Sequence, residues 1–256
     1  MIWKVIKAEM TGTSHKKNGT PCQDVTKKLV TSNSCTIVLA DGAGSASLSE
    51  LGAELTCKSV LRTFHRDFEE LFDMDPSLAK TKIIHSIRTR LGIKAKKFNQ
   101  KKEELASTLL FVSIKNNKYI AGHIGDGIIG IIGEKGDAIV LSEPENGEFA
   151  NTTYFTTSEN YKYHLRLYRG EIDNYNSFFL MSDGAAECLY HKKQKIFAPA
   201  IRSFSSWIEK YDEESVNRAL LENMTKIFPK HTTDDCSFIM CKSMSLYENI
   251  FNTNEY

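Results

Sequence analysis

The chain has 256 residues, of which 41% are hydrophobic and 25% are charged, and its 33 basic and 32 acidic residues leave a net charge of +1. A nearly balanced charge gives no electrostatic reason to expect nucleic acid or an acidic membrane as a partner. No apolar run has the length of a membrane span, the segment MIWKVIKAEM lacks the apolar region of a signal peptide, and the six cysteines include no C-x-x-C pair, so we expect a cytoplasmic protein without a zinc site.

The first half of the chain predicts a strand followed by a helical pair. Residues 35–40 (CTIVLA) form a β-rich apolar run that ends at Asp41-Gly42. A helix is predicted to begin at Ser47, because the S-x-x-E spacing to Glu50 fits a capping box. Asp75-Pro76 fits the start of a second helix, which we expect to pair antiparallel with the first.

Residues 107–141 predict consecutive antiparallel strands. STLLFVSI is expected to turn at Asn116-Asn117 into KYIAGHI, which turns at Asp126-Gly127 into IIGIIG, and EKGD leads on to AIVLS. Asn and Asp-Gly pairs supply the positive φ that tight hairpins require. The polar segment at about 143–176 has weak periodicity and is predicted to be an irregular flap.

The last third predicts a buried strand (SFFLMS), helices at about 197–211 and 213–228, and a closing strand (CSFIMCKS). No linker, repeat or low-complexity segment interrupts the chain, so residues 1–256 are expected to form a single domain. The order of strands and helices favours an α+β fold in which helices pack outside the sheets, and argues against a doubly wound dinucleotide fold.

Acidic residues recur where the predicted strands begin or end. They are Asp24, Asp41, Asp126, Asp183 and the pair Asp234-Asp235. Carboxylates gathered at one edge of a sheet repel one another and stay ionised together only around a positive charge. Oxygen ligands without a His or Cys cluster favour a hard cation, Mg²⁺ or Mn²⁺, and a pair of such ions can activate water for attack on phosphorus.

A structural explanation competes for each residue taken alone. Asp-Gly is a common hairpin signal, and Asp126-Gly127 fits that use well. Asp41 and Asp183 differ, because the segments after them look like helices or loops rather than return strands. The metal hypothesis therefore depends on the acids as a set.

Five segments of this sequence, in this order, carry a family resemblance: LADGAGS, ASTLLFVSI, HIGDGIIGII, LMSDGAAE and TTDDCSFIM. They resemble the V-x-D-G-x-G-G, G-S-T-A, V-G-D-S-R, S-D-G and D-N-x-S/T motifs of the metal-dependent protein serine/threonine phosphatases of the 2C type, particularly the bacterial members. Each motif is short, but five in order over about residues 10–241 are specific.

The resemblance implies two packed antiparallel β-sheets flanked by antiparallel helix pairs. It also implies two or three Mg²⁺ or Mn²⁺ ions, with Asp41 bridging two of them and the carbonyl of Gly42 on one. Asp183 and Asp234 would hold the second ion. Asp235 stands where the family has Asn, and a register slip of one residue would make Asp235 the ligand instead.

The remaining roles follow from the same resemblance. Asp24 would stand near the metals through water, Asp126 would help to hold a third ion, and a metal-bridging hydroxide would be the nucleophile. This sequence departs from the family at two places beside the site. Ala43 replaces the His proposed as general acid in animal members, which leaves the leaving-group proton to water, and Gln23 stands where the family often has Glu.

A third departure concerns the substrate phosphate. The family places an Arg upstream of the acid that aligns with Asp24, but the segment GTSHKKNGTPCQD contains none. His15 or Lys16 would have to bind the phosphate instead, and a Lys is a less geometrically selective partner than Arg. A solvated loop is the equally favoured alternative for this segment.

The sequence thus predicts a cytoplasmic signalling hydrolase that removes phosphate from phosphoserine or phosphothreonine in proteins. Its partners would be phosphorylated proteins and an opposing Ser/Thr kinase, and it would act as a monomer. The alternative from another class is a phosphatase-like domain that has lost activity and serves as a binding or regulatory module, for which Gln23 and the missing Arg speak. A weaker third interpretation is a hydrolase of small phosphate esters.

Overall fold

Two antiparallel β-sheets pack face to face in the computed structural model, which describes residues 2–145 and 153–244. Apolar side chains from both sheets fill the space between them, among them Ile37 and Leu39 from one sheet and Phe178 and Leu180 from the other. Helices cover the outer face of each sheet and bury two further apolar layers. The α+β sandwich predicted from the sequence is confirmed.

Each main sheet has five strands, in the orders β1-β12-β9-β6-β7 and β2-β3-β4-β5-β8, and β10 and β11 form a separate small hairpin. The strand bounds are β1 (Ile2–Met10), β2 (Asp24–Val30), β3 (Ser34–Asp41), β4 (Leu109–Lys115), β5 (Lys118–Ile124), β6 (Ile128–Gly133), β7 (Ala138–Ser142), β8 (Arg166–Glu171), β9 (Tyr175–Met181), β10 (Tyr190–His191), β11 (Ile196–Phe197) and β12 (Cys236–Met244).

The helices divide between the two outer faces. Helices α2 and α3 cover the sheet that contains β3, whereas α5, α6 and α7 cover the sheet that contains β9. The bounds are α1 (Thr13–Asn18), α2 (Ser49–Asp73), α3 (Pro76–Lys97), α4 (Tyr161–His164), α5 (Asp183–Leu189), α6 (Ala200–Lys210) and α7 (Glu213–Ile227), with 3₁₀ turns at Lys102–Leu105 and Phe228–Lys230. Within the described residues, no helix combines the length and apolar character needed to span a membrane.

The position of β3 between two apolar layers explains why its central residues are consecutive apolar residues and do not alternate with polar ones. Ile37 and Leu39 face the opposite sheet, whereas Val38 and Ala40 face the layer under α2 and α3. A strand with core on both sides buries every side chain, so the period-2 signal disappears.

The helical pair α2–α3 is confirmed, but the predicted capping box is wrong. Helix α2 begins at Ser49 and has no side-chain cap hydrogen bond. The backbone N–H and the hydroxyl of Ser47 donate instead to Glu104 Oε2, at 2.9 and 2.8 Å. The serine that local spacing assigned to the helix cap thus donates its hydrogen bonds to a carboxylate more than fifty residues away.

The predicted hairpin at Asp126-Gly127 is also wrong. Strand β5 pairs with β4 and β8 in one sheet, whereas β6 pairs with β7 and β9 in the other. The Asp-Gly pair therefore lies in a crossover between the sheets, and the positive φ of +113° belongs to Gly125. The other predicted turns hold: Asn116 (φ +53°) joins β4 to β5, and Gly136 (φ +80°) lies between β6 and β7.

The segment at 143–176, predicted to be an irregular flap, contains regular structure. Helix α4 and strand β8 lie within it, and β8 pairs with β5 at the sheet edge, from Glu171 opposite Lys118 to Arg166 opposite His123. Most of the side chains of β8 are only partly buried, so the strand leaves little periodicity in the sequence. The flap residues 146–152 lie outside the described part of the chain.

Candidate active site

Five acidic side chains, from four segments that are distant in the sequence, line one cavity at an end of the sandwich. Asp41 is the last residue of β3, Asp126 lies in the crossover between β5 and β6, Asp183 is the first residue of α5, and Asp234 precedes β12. The cavity holds about 190 Å³ and is lined by His15, Gln23, Asp41, Gly42, Ala43, Gly44, Thr108, Asp126, Thr153, Phe155, Asp183, Asp234 and Asp235. The acids that the sequence placed near strand ends therefore converge.

Backbone hydrogen bonds fix the position of Asp41. Its N–H donates to Thr108 Oγ1 at 2.9 Å, and its carbonyl accepts the Thr108 N–H at 2.8 Å. The next N–H, that of Gly42, donates to the Gln23 carbonyl at 3.1 Å. A Cβ on Gly42 would lie 2.8 Å from the backbone of Ser49, so the chain leaves the strand beside α2 only because residue 42 has no side chain.

Gly184 serves the same purpose after Asp183. A Cβ there would lie 2.2 Å from the carbonyl oxygen of Asp235, a contact that real Cβ atoms do not make. The glycine lets the first turn of α5 pack directly against the loop before β12. Two of the Asp-Gly pairs thus bring the backbone of neighbouring segments together behind the carboxylates.

Asp24 lies behind the cavity and not on its wall. It is the first residue of β2 and stands opposite Asp41 in the antiparallel register. Its side chain is buried, and neither carboxylate oxygen has a hydrogen-bond partner, although the hydroxyls of Ser182 and Ser237 lie nearby. Burial raises the pKa of Asp24 to about 7.

The crowded acids perturb one another. Burial, and then the charges of Asp24 and Asp183, raise the pKa of Asp41 well above its ordinary value. Burial, followed by the charges of Asp126 and Asp234, raises the pKa of Asp183 to about 6. Burial also raises the pKa of Asp126. Full ionisation of this cluster near neutral pH therefore requires a nearby positive charge.

The donor set fits a divalent hard cation. The cavity offers carboxylate, carbonyl and hydroxyl oxygens, and the unpartnered oxygens of Asp24 lie directly behind it. Within residues 2–145 and 153–244, no group of three or more His, Cys, Asp or Glu side chains is arranged to hold a metal ion as it stands. An open, oxygen-rich arrangement suits Mg²⁺ or Mn²⁺ better than zinc, because Mg²⁺ in particular keeps several waters and needs only one or two carboxylates.

The neighbouring acids Asp234 and Asp235 have different environments. Asp235 is buried, and its Oδ1 accepts the Gly12 N–H at 2.7 Å, while its Oδ2 accepts the Gln23 N–H at 2.6 Å and faces His15 Nδ1 at 2.9 Å. Asp234 is exposed to the cavity, and within the described part of the chain its side chain accepts only the Asp235 N–H, at Oδ1 and 2.8 Å. This geometry favours Asp234 as the residue available to an ion.

The two predicted phosphate-binding residues differ in their position relative to the cavity. His15 lines the cavity, whereas Lys16 is exposed on α1 and is not among the lining residues. Sequence reasoning did not assign a role to Thr108, Thr153 or Phe155. Thr108 belongs to the ASTLLFVSI segment, so its motif was visible, but its hydrogen bond to the backbone of Asp41 was not.

A model of the protein phosphatase 2C family matches residues 11–225. The chain belongs to the protein phosphatase 2C family. Serine/threonine-protein phosphatase 3 of Escherichia coli (strain K12) is 30% identical to it over 167 residues. The match covers 62% of this chain and 64% of that relative, so the chain spans just under two thirds of the relative's length.

Solved structures of phosphatases share the fold of this family member. Serine/threonine phosphatase Stp1 from Staphylococcus aureus aligns with a TM-score of 0.63 at 15% identity and covers 96% of each chain. The catalytic domain of the serine/threonine protein phosphatase PstP, solved with two manganese ions, aligns with a TM-score of 0.64 at 12% identity, over 95% of this chain and 99% of that one. At such identities the likeness shows the fold alone.

Proposed function

We propose that this protein hydrolyses phosphoserine and phosphothreonine in proteins with the help of two or three Mg²⁺ or Mn²⁺ ions. One observation carries the proposal: Asp41, Asp126, Asp183 and Asp234 come from four separate segments and line one small cavity. Membership of the protein phosphatase 2C family and the likeness to a serine/threonine-protein phosphatase support the choice of reaction.

Each acid has a role in this proposal that suits its position. Asp41 would stand between two ions with the Gly42 carbonyl on one of them, Asp183 and Asp234 would hold the second, and Asp126 would contribute to a third. Bound ions would activate water and neutralise charge on the phosphoryl oxygens. Thr108 holds the backbone of Asp41 in place, so that its carboxylate does not have to be ordered during the reaction.

Asp24 acts from behind in the same proposal. Its buried carboxylate has no hydrogen-bond partner of its own and faces the strand that ends in Asp41. An ionised Asp24 adds negative charge next to Asp41 and so increases the affinity of the cluster for a cation. The family resemblance implies that Asp24 contacts the metals through water, and its position behind the cavity fits that role.

The biological setting is part of the proposal. We place the enzyme in the cytoplasm, as a monomer in signalling, acting against a Ser/Thr kinase on phosphorylated proteins and not on nucleic acid or membranes. All six cysteines are unpaired thiols, which suits a reducing compartment. The net charge of +1 supports the absence of a nucleic-acid partner.

The test is hydrolysis of a phosphothreonine peptide and of an aryl phosphate by metal-stripped protein to which Mn²⁺, Mg²⁺ or Zn²⁺ is returned. We expect turnover of the peptide with Mn²⁺ or Mg²⁺ and none in chelator. Turnover of the aryl phosphate without any phosphopeptide would favour a small-ester hydrolase. Binding of phosphopeptide without turnover in any metal would favour the regulatory module.

A further inference from the structure

His15 differs in kind from the other side chains of the cavity. Among the described residues that line it, His15 alone can carry a positive charge. The carboxylates are the groups that would hold cations, and the hydroxyls of Thr108 and Thr153 titrate far above neutral pH. Ala43 supplies no proton either. His15 is therefore the lining side chain whose chemistry best suits proton donation.

Asp235 fixes which nitrogen of His15 faces the substrate. The carboxylate already accepts the N–H groups of Gly12 and Gln23, at 2.7 and 2.6 Å, so it is arranged as a hydrogen-bond acceptor. Its Oδ2 lies 2.9 Å from His15 Nδ1, which must then carry a proton and donate it. His15 lines the cavity with 21% of its side chain exposed, and its Nε2 has no hydrogen-bond partner among the described residues.

Asp235 also holds together the segments that carry the donor. Through Gly12 it anchors the residue that caps the N-terminus of α1, and through Gln23 it anchors the residue before β2. A Cβ on Gly12 would lie 2.4 Å from the backbone of Asp234, so α1 starts in direct contact with the loop that carries the acids. The imidazole is thus held by Asp235, which is itself fixed by Gly12 and Gln23, and not by the exposed helix alone.

We infer that His15, oriented by Asp235, protonates the serine or threonine oxygen that leaves phosphorus. The inference rests on the proposed function and adds a catalytic residue to it. Asp235 is a positioning residue, because it acts through His15 and its oxygens are already occupied by protein donors. The donor comes from α1, whereas the segment after Asp41 offers only Ala43 at the corresponding place.

The step balances in protons and bonds. A water oxygen forms a bond to phosphorus as the bond from phosphorus to the side-chain oxygen breaks, and the electron pair of that bond goes to the leaving oxygen. His15 Nε2 gives its proton to that oxygen, which yields the neutral serine or threonine hydroxyl. The attacking water loses one proton, which returns through solvent to His15, and phosphate leaves with the remaining hydroxyl.

The chemistry of the leaving group separates proton donation from phosphate binding. Phosphoryl transfer passes through a loose transition state in which much negative charge develops on the leaving oxygen. A serine or threonine alkoxide is very basic and needs a proton, whereas 4-nitrophenolate is stable near neutral pH and does not. A residue that only binds phosphate serves both substrates equally.

The experiment compares kcat for a phosphothreonine peptide and for 4-nitrophenyl phosphate, with saturating Mn²⁺, in the full chain. The variants are His15→Gln and Asp235→Asn, with Lys17→Gln as the control because Lys17 is an exposed cation on the same short helix. We expect His15→Gln to lower kcat for the peptide about 100-fold and for the aryl ester less than about threefold. Asp235→Asn should show the same imbalance, about tenfold on the peptide, and Lys17→Gln should change neither.

Thermal midpoints of each variant accompany the kinetics. If one of the two variants does not fold, the imbalance in the other decides the matter. Equal losses on both substrates, or losses in KM alone, would show that His15 only binds phosphate and would overturn the inference while leaving the proposed function intact. A wild-type protein that hydrolyses neither substrate would overturn both.

Discussion

Divalent metal is expected to stabilise this protein much more at about pH 8 than at about pH 5. The reason lies in the carboxyl groups at the end of the sandwich. Burial, the largest cause, raises the pKa of Asp24 to about 7 and that of Asp183 to about 6, and the charges of neighbouring acids act in the same direction. In the unfolded chain the same groups titrate near their ordinary value of about 3.9.

The sign follows from proton binding. An acid whose pKa is raised by folding binds its proton more tightly in the folded state, so it favours folding below its unfolded pKa. That contribution is lost as the pH rises from about 4 to about 7. Metal-free protein should therefore lose stability across this range, and a cation among the carboxylates should restore it at the alkaline end.

The magnitude can be worked from the same groups. Each tenfold change in proton affinity corresponds to about 1.4 kcal/mol, so the change at Asp24 alone amounts to about 4 kcal/mol over the whole range, of which about 3 kcal/mol is lost between about pH 5 and about pH 8. The charges interact, so the contribution of Asp183 does not simply add to it. For a chain of this size about 3 kcal/mol corresponds to roughly 10 °C in Tm.

The assay measures Tm by scanning calorimetry in chelator and in Mn²⁺ at both pH values. The gain from Mn²⁺ should be larger by roughly 10 °C at the higher pH. In Asp41→Asn the gain should shrink at both, because the variant removes a carboxylate from the centre of the cluster. A gain from Mn²⁺ that is the same at both pH values, or larger at the acidic one, would refute the reasoning.

Two further predictions concern single residues. Asp41→Asn should lower kcat for a phosphothreonine peptide by about 10³-fold or more, because it removes the charge proposed to hold the metal ions with little change of shape. Asp126→Asn should cost less, and equal losses in the two variants would contradict the central role of Asp41. Gly52→Ala should lower the free energy of unfolding by about 1–3 kcal/mol, since its Cβ would lie 2.2 Å from the Leu105 carbonyl oxygen. Gly92→Ala, whose Cβ meets no atom within 4 Å, should raise the free energy of unfolding by about 0.5–1 kcal/mol. Urea unfolding of both variants measures these changes, and two changes of the same sign would contradict the prediction.

Local chemistry was sufficient to predict much of the fold. The β-branched run that forms β3 and the Asp-Pro pair before α3 each specify one element through short-range preferences. The Asp75 side chain accepts the N–H groups of Ser77 and Leu78, as the sequence predicted for an N-cap. The acids near strand ends were recognisable for the same reason, since an apolar run of strand length precedes Asp41, Asp126 and Asp183.

Contacts between distant segments decided the rest. The sequence around Asp126-Gly127 fits a hairpin, but β6 pairs with β7 and β9 in the other sheet, so the chain crosses over. Ser47 fits a capping box, but Glu104 accepts both of its donors. In each case the local signal was compatible with two outcomes, and contacts with distant segments selected one.

The same division holds in the candidate site. The sequence by itself determined that this chain carries Asp41, Asp183 and an Asp234-Asp235 pair next to strand ends, because the residues and their order need no structure to be seen. Only the tertiary structure separated Asp234 from Asp235 and His15 from Lys16. Neighbours in sequence have different partners, and Asp235 is occupied because the N–H groups of Gly12 and Gln23, from segments distant in the sequence, donate to its carboxylate.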